Sequence, residues 1–266
     1  MLLVADNLHI INPVVQKALE TLDPGPIQEI TERCEAAGAG AIDINTGPLS
    51  RNPEEKMTFM VETVQSVTNL PILIDTANPK AMEAGLQANK NISIINGFSL
   101  EPQKLEKILP LAKKYKSDII GYLLYPDSRV PNDSSERCNL AIQILQAIQD
   151  IGLDESHLII DPIIVPLSWQ NGNQQAKEIL TFIHNLPDLF GFQVKTIAGL
   201  SNLTSGLISG HGNMKKKLLV ERTYLPMLAS AGLDMVLFNI FHNQTVEAAK
   251  ACVPLISPRI FSWAEL

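Results

Sequence analysis

Aspartate and asparagine side chains recur in this sequence at the points where short apolar runs end. They are Asn45, Asp75, Asn96, Asp161, Asn202 and Asn239. A carboxylate can accept two parallel N–H bonds, and an asparagine amide can both donate and accept. Such a set is suited to holding a planar heterocycle with an amino group beside a ring nitrogen, as found in pterins and guanines.

The same positions argue against two other chemistries. They contain no paired histidines with metal-ligand spacing, so we predict no bound metal. No lysine ends an apolar run, which disfavours Schiff-base catalysis, and Lys195 begins its run instead of ending it.

These residues are positioned by a regular alternation of short apolar runs and longer segments of helical period. The predicted strands are 2–5, 41–45, 72–75, 92–96, 118–124, 158–161, 195–200 and 235–239. The predicted helices are 26–37, 53–67, 79–87, 101–114, 134–150, 173–185, 215–231 and 244–253. Most runs are apolar on both faces, which is typical of parallel strands covered by helices. The alternation predicts a (β/α)8 TIM barrel forming one domain over residues 1–266. An open doubly wound sheet is the alternative, but the first loop lacks its glycine-rich phosphate motif.

In such a barrel, the carboxyl ends of all strands meet at one face. We therefore expect the polar strand ends to line a shared pocket. Asp43 and Asn45 lie on the same side of their strand, so we predict Asn45 in the pocket and Asp43 beneath it in a structural role. For any one residue, capping of the next helix is the alternative role.

The overall composition narrows the class of protein. The formal net charge is −7, which disfavours a nucleic-acid partner. No apolar run is long enough to span a membrane, and the first residues read as a strand and not as a signal peptide. Three widely spaced cysteines predict neither a disulfide framework nor a zinc site. We expect a cytoplasmic protein.

Several motifs resemble those of the pterin-binding methyltransferases. That family includes the methyltetrahydrofolate:corrinoid methyltransferases and is related to the folate domain of cobalamin-dependent methionine synthase. The resemblance covers almost the whole chain. It is carried by residues 43–48, 75–78, 80–86, 95–96, 160–162, 195–202, 222–225 and 231–234, of which 195–202 is the most specific.

The resemblance implies roles for individual residues. Asp75, Asn96 and Asp161 match residues that hydrogen-bond the amino-pyrimidine side of the pterin, and Asn202 matches the catalytic amide near the methyl-bearing N5. We expect the neighbouring strand ends to line the same pocket. These are Asn45, Ser201, Asn239 and His9.

The family's chemistry is methyl transfer between tetrahydrofolate and the cobalt of a corrinoid on a partner protein, in either direction. N5 departs as a neutral amine and must gain a proton or a strong hydrogen bond. No side chain here is an obvious strong acid, so Asn202 is expected to stabilise the N5-protonated form while a water supplies the proton. A homodimer is also a family expectation.

The sequence departs from the family pattern in three places. Asp6 and His9 replace a glutamate and an asparagine in the first-strand motif, and Tyr125 follows the fifth strand in place of an asparagine. His9 is either a proton donor near neutrality or an ordinary polar neighbour. A glycine-rich loop, 205–213, precedes three lysines, 215–217, which contact an anion or lie in solvent.

Two other functions fit the same fold. Dihydropteroate synthase shares the pterin pocket but needs cations for its leaving pyrophosphate, and Ser201, Asn202 and His242 do not match its cationic motifs. A non-catalytic module that binds a pterin or a corrinoid protein is the second alternative, favoured by the altered first-strand motif.

Overall fold

Eight parallel strands close a barrel in chain order in the computed structural model, which describes residues 1–49, 51–206 and 213–257. The last strand pairs with the first, so the sheet has no open edge. The strands are β1 Leu2–His9, β2 Ala41–Asn45, β3 Ile72–Asp75, β4 Ser93–Phe98, β5 Asp118–Tyr122, β6 Leu158–Asp161, β7 Lys195–Gly199 and β8 Met235–Phe238. The predicted (β/α)8 barrel is therefore confirmed.

Helices follow the strands around the outside of the barrel. They are α1 Pro13–Thr21, α2 Pro24–Ala36, α3 Pro53–Gln65, α4 Pro79–Ala88, α5 Pro102–Lys107, α6 Leu109–Tyr115, α7 Ser134–Asp150, α8 Gly172–Phe190, α9 Asn213–Ala231 and α10 Asn243–Ile256. None of these helices has both the length and the apolar character needed to cross a membrane.

Two helix predictions are wrong. Helix α1 was not predicted, although Asn12 caps it by accepting the Val14 N–H and Pro13 begins it. The predicted helix 101–114 is instead divided into α5 and α6 at Ile108. Pro110 has no N–H to donate to the preceding turn, which favours a break in the helix there.

Several strand ends also differ from the predictions. Strand β1 continues to His9 because its ladder with β2 resumes at Leu8 and Ile44 after an irregularity that follows Ala5. Strand β4 extends to Phe98, and β5 ends at Tyr122 instead of residue 124. The polar pair after Ala5 interrupts the apolar pattern but not the strand, which explains the short prediction for β1.

The barrel interior is filled by an apolar layer to which each strand contributes one side chain. Its members are Val4, Ala41, Leu73, Ile94, Ile120, Ile159, Ile197 and Met235. A larger apolar cluster lies between the strands and the surrounding helices. Because successive side chains on a strand alternate sides, the residue two positions beyond each interior residue also points inward, toward the carboxyl face.

The amino-terminal face of the barrel carries its own ion pairs. Lys195 Nζ lies 3.4 Å from Asp118 Oδ2, and His157 Nδ1 lies 2.8 Å from Asp118 Oδ1. Lys195 thus lies at the beginning of β7, on the face opposite the polar strand ends, as predicted.

Candidate functional site

On each strand from β2 to β6, the residue two positions beyond the member of the apolar layer is polar. We call this set the polar layer: Asp43, Asp75, Asn96, Tyr122 and Asp161. Pairing of adjacent strands brings Asp75 into register with Asn96, and Tyr122 into register with Asp161. Three residues predicted for pterin binding, Asp75, Asn96 and Asp161, therefore occupy inward-facing positions on β3, β4 and β6 of the same barrel.

Asn96 is the centre of a buried hydrogen-bond chain. Its Nδ2 donates to Asp43 Oδ1 at 2.9 Å, and its Oδ1 accepts from the Tyr122 hydroxyl at 2.6 Å. Asn96 is 7% exposed and Asp43 is 2% exposed. The structure places Asp43 beneath the mouth, where the sequence predicted it, and adds Tyr122, which the sequence analysis did not select.

Asp75 is held from the neighbouring strand. Asn45 Nδ2 donates to Asp75 Oδ2 at 2.5 Å, while Asn45 Oδ1 accepts the backbone N–H of Gly47 at 3.1 Å. Asn45 therefore both stabilises its own loop and orients the carboxylate of Asp75. The positive charge of Lys104 on α5 also acts on Asp75 and holds down its pKa.

Asp161 closes a tight turn after β6. Its Oδ1 accepts the backbone N–H of Ile163 at 2.8 Å, and Ile163 has φ 63°. A left-handed conformation is uncommon for a β-branched residue and persists only where surrounding contacts enforce it.

Those contacts come from Arg137 on α7. This side chain is 0% exposed, and its guanidinium donates to Pro162 O at 3.1 Å, to Asp133 O at 3.1 Å and to Gln175 Oε1. Arg137 therefore joins the Asp161 turn to helices α7 and α8.

We expect Arg137→Met to lower the free energy of unfolding by about 2–4 kcal/mol, because three acceptors lose a charged donor. Chemical denaturation followed by circular dichroism measures this change. Arg51→Met is the control, since Arg51 is exposed. An unfolding midpoint equal to the parent's would show that these three bonds contribute nothing net.

The carboxyl groups of the site have raised pKa values, so they ionise at higher pH than an exposed aspartate does. Burial raises the pKa of Asp161 to about 7, although the Ile163 N–H opposes the shift. Burial likewise raises the pKa of Asp75 to about 6 and that of Asp6 to about 6. Burial and the nearby Asp75 raise the pKa of Asp43 well above its ordinary value. The site is therefore short of hydrogen-bond donors for its carboxylates, which favours a ligand that supplies N–H groups.

A pair of asparagines joins β1 to the end of β8. Asn239 Oδ1 accepts from Asn7 Nδ2 at 2.8 Å and from the Phe241 N–H at 3.0 Å, while Asn7 Oδ1 accepts the Ile240 N–H at 3.0 Å. The side-chain oxygen of Asn239 thus already accepts two hydrogen bonds from the protein. Within the described residues, no side chain or backbone group accepts a hydrogen bond from its amino group.

His9 ends β1 and lies opposite Asn45 in the strand pairing. Its Nδ1 accepts the Ile11 N–H at 3.0 Å, and burial lowers its pKa. A neutral ring with one nitrogen already engaged is a weak proton donor. The geometry favours the role of an ordinary polar neighbour for His9.

Ser201 and Asn202 lie on the short 3-10 helix Leu200–Thr204 that follows β7. The Asn202 side chain is exposed, and its Nδ2 would lie 3.0 Å from a Cβ built on Gly199. The absence of a side chain at Gly199 therefore leaves room for this amide beside the strand end. The position of this turn is supported from α9, because the Thr204 hydroxyl donates to buried Glu221 Oε1.

Helix α9 also brings a lysine to this side of the barrel. Lys217 Nζ lies 3.8 Å from Glu221 Oε1, and its charge acts against the raised pKa of Asp6. Most of loop 205–213, residues 207–212, lies outside the described residues, so its predicted contacts stay untested.

Tyr125, which follows β5, packs against an arginine. The centre of its ring lies 4.2 Å from the guanidinium carbon of Arg129.

The structure therefore brings together the predicted Asp75, Asn96, Asp161 and Asn45, and it puts Asn239, Ser201, Asn202 and His9 at neighbouring strand ends. The sequence analysis missed the contributions of Tyr122 and Asn7. Alternation from Asp118 through Ile120 would have identified Tyr122 as inward-facing, but the predicted strand end drew attention to Tyr125.

Comparison with solved structures supports the same fold. A 7,8-dihydropteroate synthase from Vibrio fischeri matches with a TM-score of 0.67 and 16% identity, covering 97% of this chain and 94% of that one. A dihydropteroate synthase from Yersinia pestis matches with a TM-score of 0.71 and 14% identity over the same shares. At these identities the likeness concerns the fold alone.

Curated sequences and a family model give closer information. The methylcorrinoid:tetrahydrofolate methyltransferase of Eubacterium limosum is 23% identical over 243 residues, 90% of this chain and 85% of that protein. The methionine synthase of Mycobacterium tuberculosis is 21% identical over 214 residues, 76% of this chain but only 17% of that longer protein. The family model described as pterin binding enzyme matches residues 15–239. This chain therefore belongs to the family of pterin-binding enzymes.

Proposed function

We propose that this protein transfers a methyl group between N5 of methyltetrahydrofolate and the cobalt of a corrinoid carried on a partner protein. The observation that carries the proposal is the polar layer, in which carboxyl and amide groups from adjacent strands face the barrel interior and are joined by hydrogen bonds through Asn96. The similarity to the methylcorrinoid:tetrahydrofolate methyltransferase over most of both chains supports this chemistry for this barrel.

In this proposal, Asp75, Asn96 and Asp161 hold the amino-pyrimidine side of the pterin. Asp161 has one oxygen engaged by the Ile163 N–H and another available to accept from the ligand. Asn45 likewise donates to one oxygen of Asp75, Oδ2, and the other oxygen accepts from the ligand in this proposal. N–H donors on the ligand would offset the free-energy cost of burying these carboxylates. The site therefore favours a ligand with N–H groups along one side, as on the amino-pyrimidine ring of a pterin.

Asn202 is the proposed catalytic residue at N5. Bound corrinoid would supply the nucleophilic Co(I) that receives the methyl group in one direction of transfer. N5 then leaves with the bonding electron pair and must be neutral, so a hydrogen bond or proton at N5 lowers the barrier. The exposed amide of Asn202 can form that hydrogen bond, and water can supply the proton. Ser201, Asn239 and His9 complete the surroundings in this proposal.

The charges near the mouth favour methyl transfer over the dihydropteroate synthase reaction. A departing pyrophosphate needs cations that are not already neutralised. The structure places two lysines near the site, and the charge of each is offset by an acid. Lys217 forms an ion pair with Glu221, and the charge of Lys104 lowers the pKa of Asp75. A neutral amine leaving group requires no such cations. The homodimer and the cytoplasmic location stay predictions.

A spectroscopic assay tests the proposal directly. Purified protein is mixed with methyltetrahydrofolate and a reduced corrinoid, and loss of the Co(I) absorbance is followed with time. Catalysed loss of Co(I) is the expected result. Pterin binding with no effect on Co(I) would instead indicate a binding module, and pyrophosphate release from dihydropterin pyrophosphate and p-aminobenzoate would indicate a dihydropteroate synthase.

Ligand affinity should depend on pH. The pKa of Asp161 is raised to about 7 in the empty site, and ligand N–H groups stabilise its ionised form. Binding must therefore displace a proton at low pH, and we expect affinity for tetrahydrofolate to fall by about tenfold per pH unit below about pH 7, and more steeply below about pH 6, where Asp75 is protonated as well. Calorimetric titrations in buffers of different ionisation enthalpy measure both affinity and proton release. Constant affinity from mildly acidic to mildly alkaline pH would contradict this account.

A further inference from the structure

Tyr122 contributes both an apolar ring and a hydroxyl to the barrel interior. It ends β5 and is in register with Asp161 of β6. Its ring packs against the apolar layer, which includes Ile120 from the same strand. The ammonium of Lys104 lies 5.4 Å from the ring centre, within the range of a cation–π contact. The ring is therefore held in place, which fixes the position of its hydroxyl.

The hydroxyl of Tyr122 forms a hydrogen bond with the side chain of Asn96. It donates to Asn96 Oδ1 at 2.6 Å, and the same amide donates from Nδ2 to Asp43 Oδ1 at 2.9 Å. Asn96 is consequently held at both ends of its amide. When Asp43 is ionised, rotating the amide by half a turn would place its oxygen against the Asp43 carboxylate, which has no proton to donate, so the observed orientation is preferred.

We propose that Tyr122 is a positioning residue of the pterin site, whose hydroxyl sets the orientation of the Asn96 amide that meets the ligand. This inference rests on the proposed pterin ligand. With both ends engaged, Asn96 retains one N–H and one carbonyl lone pair for the ligand. Loss of the hydroxyl leaves the buried carbonyl short of a donor and lets the amide rotate, so the empty site is no longer preorganised.

The experiment uses Tyr122→Phe, which removes the hydroxyl and keeps the ring. We expect this variant to lower the affinity for methyltetrahydrofolate by about tenfold, measured by calorimetry, because one buried polar partner is lost. Tyr224→Phe is the matched control. Tyr224 is also buried and its hydroxyl donates to Ala176 O at 2.7 Å, between α8 and α9, so its loss should leave affinity unchanged.

A double-mutant cycle separates positioning of Asn96 from a general structural effect. In an Asn96→Ala background, Tyr122→Phe should change affinity by less than about twofold, because the amide through which Tyr122 acts is gone. An equal loss in both backgrounds would overturn the positioning role. Asparagine-labelled protein examined by NMR gives a second measure without ligand: slow exchange of the Asn96 side-chain amide in the parent should become fast in Tyr122→Phe, and unchanged exchange would also overturn the role.

The outcomes distinguish this inference from the proposed function. A folded parent protein with no affinity for methyltetrahydrofolate overturns both. A parent that binds while Tyr122→Phe binds equally well overturns the positioning role alone and leaves the proposed methyl transfer standing.

Discussion

Asp161→Asn should weaken pterin binding by at least about 100-fold and at the same time stabilise the ligand-free protein at pH 8. Burial raises the pKa of Asp161 from 3.8 to about 7, so folding opposes its ionisation. Ionisation of Asp161 therefore lowers the free energy of unfolding. This loss of stability is absent below about pH 4, grows as the pH rises to about 7, and reaches roughly 4 kcal/mol above about pH 7.

An asparagine at position 161 does not ionise, and its oxygen can still accept the Ile163 N–H that closes the turn. The stability gain should therefore grow between about pH 4 and about pH 7 and then level off. The amide presents N–H groups to the N–H groups of the ligand where the carboxylate accepted them, so affinity should fall by at least about 100-fold.

Chemical unfolding of parent and variant across this pH range, with calorimetric binding at pH 8, tests both parts. Asp188→Asn is the control, because Asp188 is exposed on α8 and should affect neither quantity. A variant less stable than the parent at pH 8 would show that the ionised Asp161 is compensated within the empty protein. A variant that keeps its affinity would remove Asp161 from the proposed ligand site.

Asn202→Ala should slow methyl transfer by about 100- to 1000-fold and weaken pterin binding by less than about tenfold. Its amide is proposed to strengthen its hydrogen bond to N5 only as that nitrogen gains a proton on the way to methyl transfer. The side chain is exposed on a short turn after β7, so its removal should leave the barrel intact.

Single-turnover transfer rates and equilibrium binding of methyltetrahydrofolate separate the two effects. Ser205→Ala is the control, since Ser205 is an exposed residue just beyond the same turn, with its hydroxyl 3.3 Å from Ser201 O. Equal losses in rate and affinity would assign Asn202 to ground-state binding and refute its catalytic role.

Much of the fold follows from local patterns. The bounds of β2, β3, β6 and α7 agree with the predictions, because each has an unbroken pattern and a distinct end. Asp75 and Asp161 both terminate apolar runs, so the sequence could place them at one face once a barrel was inferred. The break between α5 and α6 was predictable in principle from Pro110, whereas α1 is a short helix with a weak local signal.

The details of the site depend on contacts between distant residues. Asn96 and Asp43 are separated by 53 positions along the chain, and Arg137 reaches Pro162 across 25 positions. A one-residue difference in the register of β2 or β4 would turn Asp43 or Asn96 away from the barrel interior. Local sequence therefore could not show which amide meets which carboxyl group.

The sequence by itself determined that this chain forms an eight-stranded barrel with Asp and Asn residues at its strand ends, because hydrophobic periodicity is a local property. The tertiary structure decided that Tyr122 and Asp43 orient Asn96, that the Ile163 N–H holds Asp161, and that Arg137 holds the turn after it at Pro162. It also decided the protonation behaviour of the site. A pKa depends on burial and on neighbouring charges, and both arise only when the strands close around a common interior.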